Sequence, residues 1–203
     1  MISALVIFLN FVTNNDIVAQ YEEAQKGIYH DYDALITSDD LTFKVKDLKY
    51  KKDNTEDSIE LTYYVIEDKD NKNTYYKLLG TDVKKLVDAG LITLQSELGK
   101  KPVIISKSTA SNNKLAAKDK INFYTMEGEK KISITNICED KGLFQADSTF
   151  PLVIMDKNLL VKKTGIDKKA VSAMLLNLKD DVDITEFART IKKDNKGFTV
   201  RDN

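Results

Sequence analysis

The chain carries a single histidine, His30, and a single cysteine, Cys138. A thiol and an imidazole become a nucleophile and its base only within hydrogen-bond reach of each other, with a third group orienting the base. Their spacing provides nothing of that kind. His30 falls near the end of an expected helix, and Cys138 falls in or next to an expected strand. They read as a surface histidine and an inert, half-buried cysteine. The run Asp180-Asp181-Val182-Asp183 has carboxylates enough for calcium. It lacks the glycine and the distal glutamate of a calcium loop. Capping of a helix, with acidic groups at the positive end of its dipole, accounts for the run better. There is no Gly-rich phosphate loop, so ATP binding is not expected. No Cys/His cluster has zinc-ligand spacing. The residues therefore give no catalytic, cofactor or metal site, and they point away from an enzyme.

Two tyrosine pairs are the more informative polar-aromatic feature. Tyr63-Tyr64 and Tyr75-Tyr76 sit on what should be the two arms of a hairpin. In such a hairpin the pairs can lie opposite each other, with one member of each outward. All four are candidate partner contacts, because an outward aromatic patch is a good docking anchor. Packing across the strands is the competing role. Lysines around Lys49 to Lys52, together with Lys100-Lys101, read as solvated turn surface. They could approach anionic lipid or cell-wall polymer, yet 31 basic and 32 acidic residues leave no positive surplus. The same balance argues against nucleic acid as a partner.

These residues must be positioned by regular elements. At 203 residues, 42% of them apolar and 31% charged, the chain can bury a real core as one large domain or two small lobes. With one cysteine, no intrachain disulfide forms. That fits a reducing compartment, or a surface protein that does without disulfides.

Met1 to Val12 is almost wholly apolar, broken only by Ser3 and Asn10. A helix of that length reaches about 18 Å, short of the roughly 30 Å hydrocarbon core. It lacks the basic start and the small-residue cleavage site of a signal peptide. It reads as the outer end of a transmembrane helix, or else as a buried helix or strand of a soluble protein. Ile17, Tyr21, Ala24 and Ile28 then form one stripe of an amphipathic helix. Asn14 or Asn15 caps it, unless the helix runs on unbroken as a stalk.

Strands come next. Leu41, Phe43 and Val45 alternate with polar residues, as do Ile59, Leu61, Tyr63 and Val65. Asp68 to Lys72 is a turn and Thr74 to Leu79 the return strand. Asp82 caps a short helix that Gly90 ends. Val103 to Ile105 is a buried strand, followed by a polar stretch of helical character to Leu115. Ile121 and Phe123 face Ile132 and Ile134 in a hairpin around Glu127-Gly128-Glu129. The last third reads strand, helix, strand, helix, strand. Its parts are Pro151 to Met155, a helix capped by Asp156 and ended by Gly165, Val171 to Leu178, a helix opened by Asp183 with Glu186 in a capping-box pattern, and Phe198 to Arg201. Val171 to Leu178 is too apolar for an edge strand and needs cover on both faces. The fold class is α+β, with helices layered on a sheet.

Four stretches, taken in order, resemble the extracytoplasmic domain of ABC-transporter permeases of the MacB-like and FtsX-like kind. Leu78-Leu79-Gly80-Thr81-Asp82 is like the family's strand ending in glycine before an acidic residue. Pro102-Val103-Ile104-Ile105-Ser106-Lys107 is like its strand leading into a helix through serine. Leu115-Ala116-Ala117-Lys118-Asp119-Lys120-Ile121 has Asp119 before a strand, with Lys118 where the family has glycine. Ile137-Cys138-Glu139-Asp140-Lys141-Gly142-Leu143-Phe144 is like its acidic turn with glycine and phenylalanine. Asp183 to Phe187 matches its last helix. The resemblance spans roughly Asp31 to Asn203.

That resemblance implies two lobes. Residues 31–74 and 149–203 would form a discontinuous α+β, porter-like lobe. Residues 75–148 would form a smaller β-rich lobe inserted into it. Residues 1–30 would supply the end of a transmembrane helix and a stalk. The implied function is a noncatalytic outer domain of a permease in the cell membrane, on the extracytoplasmic side. It would bind a partner or an extracellular protein, peptide or lipid cargo, and transmit motion driven by a separate cytoplasmic ATPase. Cargo could also be a drug, or the output could be activation of a cell-wall enzyme. The rival from another class is a membrane-anchored surface binding module with no ATPase partner.

Overall fold

In the computed structural model, which describes residues 28–29, 31–145 and 150–202, eight strands share one mixed sheet and two more form a separate hairpin. The strands are β1 (Ala34–Ser38), β2 (Thr55–Glu67), β3 (Tyr75–Thr81), β4 (Val103–Ser106), β5 (Lys120–Thr125), β6 (Gly128–Ser133), β7 (Asn136–Cys138), β8 (Leu152–Asp156), β9 (Ala173–Leu178) and β10 (Phe198–Asp202). The helices are α1 (Val83–Asp88), α2 (Lys107–Asn112), α3 (Lys157–Thr164) and α4 (Ile184–Asp194). The sheet order is β10-β1-β9-β2-β3-β8-β4-β7, and β5 pairs with β6. The class is α+β, as expected. The expected helices over 1–12 and 14–29 fall outside the described residues, apart from Ile28 and Tyr29, which are buried.

The long strand β2 joins two half-sheets. Its first part, to Leu61, pairs antiparallel with β9. Its second part, from Thr62, pairs antiparallel with β3 on the opposite side. Side chains of a strand alternate between faces, so each strand feeds two layers. Ile59, Leu61, Leu79, Ile104, Ile154, Ala173 and Leu175 point to one face and pack into a single cluster that crosses both half-sheets. On the other face the core divides. Ala34, Ile36, Met174 and Leu176 pack beneath Phe187 and Ile191 of α4. Leu78, Val103, Ile105, Val153 and Met155 pack with Leu160 of α3 and with Ile121, Phe123 and Ile132 of the β5–β6 hairpin. The strand β9 lies between β1 and β2 and contributes to both faces, which explains its unbroken apolar run.

Local chemistry sets the helix ends. The Asp82 carboxylate accepts from the Lys85 amide at 3.1 Å, and Asp183 accepts from the Glu186 amide at 2.8 Å. Each satisfies an amide that the first helical turn leaves open. Ser106 does the same for Thr109 at the start of α2. Gly80 lets α3 lie close on β3: a Cβ there would come within 2.6 Å of Leu160 Cδ2.

Two expectations need correction. Leu41, Phe43 and Val45 do not form a strand. Phe43 makes one antiparallel bridge to Val171, Leu41 is 93% exposed, and Val45–Asp47 is a 3-10 turn. The strand in this region is Ala34–Ser38, held between β9 and β10. Asp156 stands at the start of α3, but its side chain makes no cap there. Burial raises its pKa; a hydrogen bond from the Val83 amide opposes the rise, and the charge on Asp82 adds to it.

Candidate functional site

Where β9 stops along β2, the sheet leaves a groove of about 890 Å³. Leu79, Leu143, Leu152 and Ala173, all buried, make its floor. Tyr63, Val65 and Lys77 from β2 and β3 form one wall. Ser38, Asp39, Asp40, Leu41 and Thr42, the turn after β1, form the other. The lining is mostly apolar with charged groups at the rim, the usual make-up of a binding cleft.

Strand register decides how the four tyrosines are used. Tyr63 lies opposite Leu79, Tyr64 opposite Leu78, Tyr75 opposite Glu67 and Tyr76 opposite Ile66. The tyrosine pairs are therefore not across from each other, because the hairpin turn sets a different register. Tyr63 packs at the margin of the core cluster that crosses both half-sheets, and Tyr64 at the margin of the cluster under α3 and the hairpin. Tyr76 is 0% exposed and offers no surface to a partner. Burial, with the charge on Asp68, pushes its hydroxyl up to about 12. Tyr75 is 36% exposed and stacks at a tilt on Phe150, with ring centroids 5.6 Å apart. The Lys77 ammonium sits 4.3 Å from the Tyr63 ring centroid, a cation–π contact that fixes both side chains at the groove. Val65, between them, is 49% exposed.

The backbone of β2 adds a feature that side chains do not show. The Leu61 carbonyl accepts from the Ser172 amide, and the Tyr63 amide donates to Ser172 Oγ at 3.0 Å. The Glu60 carbonyl, by contrast, accepts from Thr81 on the β3 side. Main-chain groups of an antiparallel strand alternate sides. The amide and carbonyl of Val65 therefore point to the side that β9 occupied lower down, and just past the end of β2 that side is taken by β5, where the Lys69 amide donates to the Asn122 carbonyl at 2.8 Å.

Other candidate residues are placed as follows. Cys138 is buried in β7, and burial, then the charges on Asp140 and Glu139, push its thiol up to about 12. It is the thiol, not the thiolate, at neutral pH, which suits a structural role. His30 lies outside the described residues. Asp183 is spent on the α4 cap. Among the described residues no three His, Cys, Asp or Glu side chains group as metal ligands. Lower on β2, Asp57 accepts from Tyr32 at 2.6 Å and pairs with Lys85. Burial works to raise the Asp57 pKa, but the hydrogen bonds from Lys85 and Tyr32 outweigh it and hold the carboxyl below its usual range. This network ties α1 to β2 and does not border the groove. Sequence reasoning found the tyrosines but not the groove, the turn at Asp39-Asp40 or the open side of β2.

No protein-family model matches the chain, and no curated protein matches it in sequence. Its fold does match solved structures. The periplasmic region of MacB from Actinobacillus actinomycetemcomitans superposes with a TM-score of 0.58 at 12% identity, over 90% of this chain and 94% of that one. A domain of a protein assigned as a permease from Porphyromonas gingivalis gives 0.52 at 13% identity, over 85% of this chain and 91% of that one. The chain thus has the fold of an extracytoplasmic MacB-like permease domain. Among the described residues, no helix is long and apolar enough to cross a membrane.

Proposed function

We propose that the chain is the noncatalytic extracytoplasmic domain of an ABC-transporter permease. It binds a protein, peptide or lipid partner and passes on motion driven by a cytoplasmic ATPase. One observation carries most weight. Ala34, which opens the first strand, pairs with Asp202, which closes the last. The first and last strands of the fold therefore meet at one end of the sheet, which supports a domain held between two neighbouring membrane helices. The shared architecture with two permease-type domains supports the same reading.

In this proposal residues 31–74 and 149–203 act as the lobe nearest the membrane, and residues 75–148 as the inserted lobe. Supporting it, β1, β9, β10 and α4 come from the two ends of that span and pack on one another. The groove, with Tyr63, Tyr64 and Tyr75 at or near its edge, is the proposed contact region. The test is purification of the complete gene product from membranes. An ABC-type ATPase should copurify, and membrane spans should flank this domain on both sides. A product that is membrane-anchored on one side only, with no ATPase, would favour the surface binding module instead.

A further inference from the structure

We infer that the tip of the β5–β6 hairpin and the end of α3 form a docking surface for a bilayer that contains anionic lipid. The exposed apolar tip enters the headgroup region, and a collar of lysines holds the phosphates around it.

Three observations converge on this. First, lysines from three separate elements meet. Lys162 and Lys163 occupy the last turn of α3, Lys130 and Lys131 lie on β6, and Lys101 comes just before β4. The hairpin turn reaches the end of α3, since a Cβ at Gly165 would lie 3.6 Å from the Glu127 carboxylate. Burial lowers the Lys163 pKa, and the charges of Lys162, Lys131, Lys130 and Lys101 all lower it further. Second, the cluster is not neutralised. Glu127 pairs with Lys130 at 3.0 Å, and Glu129 with Lys69 at 2.7 Å. Among the described residues no carboxylate pairs with Lys101, Lys131, Lys162 or Lys163. The dipole of α3 favours lysines in its last turn, but it does not account for Lys101 and Lys131, which come from other elements. The chain as a whole holds 31 basic and 32 acidic residues, so the excess belongs to this face. Third, the hairpin tip is apolar. Met126 is fully exposed and Tyr124 is 63% exposed. Tyr124 lies opposite Glu129, and Lys131 follows two residues later on the same outer face. Apolar and aromatic side chains ringed by lysines are the make-up of an interfacial anchor. A soluble polyanion would use the lysines and leave Met126 idle. This inference goes beyond the transporter reading and needs only the isolated chain, so either can fail while the other stands.

The test uses the 203-residue chain and cosedimentation with two kinds of vesicle. One is pure phosphatidylcholine, and the other is equal parts phosphatidylcholine and phosphatidylglycerol. The neutral vesicles report whatever the uncharged side chains of residues 1–12 contribute. Partition should be about tenfold or more stronger on the anionic vesicles, and high salt should remove that gain. Lys131→Gln, Lys162→Gln and Lys163→Gln together should also remove it. Lys49→Gln, Lys51→Gln and Lys52→Gln, an equal loss of charge ahead of β2, should keep it. Should the α3 substitutions unfold the chain, Lys101→Gln with Lys131→Gln takes their place. Met126→Asp should weaken anionic binding about tenfold. The chain has no tryptophan, so Met126→Trp places a single reporter at the tip. Its emission should shift to the blue on anionic vesicles and remain unshifted when the patch lysines are also glutamine. The inference is overturned by equal partition on the two vesicle types, by equal losses from the two lysine sets, or by unshifted emission from the Met126→Trp chain. Full anionic binding by the Met126→Asp chain overturns it too, and would make the surface a site for a soluble polyanion.

Discussion

The two half-sheets that meet at β2 are covered differently. Among the described residues, the half built from β10, β1, β9 and the start of β2 has one helix, α4, across one face, and its other face is closed by Ile28, Tyr29 and Tyr32 against Ile59, Leu61 and Leu175. The half built from β3, β8, β4 and β7 has regular elements on both faces. The β5–β6 hairpin and α3 lie on one side, and α1 with the 142–144 turn on the other. Its strands β3, β4 and β8 are accordingly apolar on consecutive residues, not on alternate ones. Cooperative stability should therefore concentrate in the doubly covered half, and local opening in the half that holds both ends of the fold. The groove lies on the line between them, where partial freedom is useful for binding.

The sharpest way to break this contrast is to remove bulk from the doubly covered half. Phe123 is fully buried between the hairpin and the sheet. Phe123→Ala should cost about 3–5 kcal/mol and lower the urea midpoint of the whole chain. If only the hairpin opens and the rest melts unchanged, the two halves are energetically separate and the contrast is wrong.

A smaller effect is expected in the other half. Asp183→Ala deletes the cap of α4 and should cost about 1 kcal/mol. Hydrogen exchange should quicken in α4 and β10 and remain slow in β3, β4 and β8. Equal quickening throughout would show one cooperative unit.

The smallest expected effect sharpens the seam itself. Asp57 on β2 is held by Lys85 of α1 and by Tyr32. Its folded pKa lies below its ordinary 3.8. Its stabilising contribution is thus fully present above that value and is lost as pH falls below it towards the folded pKa. Asp57→Asn should flatten the acid limb of the stability curve below about pH 4 and leave the shape at neutral pH alike. An unchanged acid limb would remove Asp57 from the account. The pair is partly exposed, so its weight is modest.

Much of the fold was legible because it is local. The β2–β3 hairpin, the caps at Asp82 and Asp183, the buried β4 and the apolar β9 all follow from spacing along a few residues. The misplaced first strand shows where that ends. Leu41-Thr42-Phe43-Lys44-Val45 alternates better than Ala34-Leu35-Ile36-Thr37-Ser38 does. Yet the latter is chosen, because β9 and β10, from the far end of the chain, offer it partners on both edges. Tyr76, a candidate contact by residue type, is the inward member of its pair. Hairpin register, not residue type, turns it into the core. The groove could not be read at all, since it exists only where β9 ends short of β2.

The pairing of Ala34 with Asp202 also has an entropic meaning. Residues directly opposite in an antiparallel pair have Cα atoms roughly 4.5–5.5 Å apart. From β1 to β10 the folded domain is therefore no wider than a tight turn, with Ile28, Tyr29 and Tyr32 packed in the core just ahead of β1. Closing a long unstructured loop costs more the longer it is, but a folded insert with adjoining ends removes that dependence. The domain should graft into a surface turn of an unrelated host with little loss of host stability, and should report strain in that host by separating β1 from β10 first.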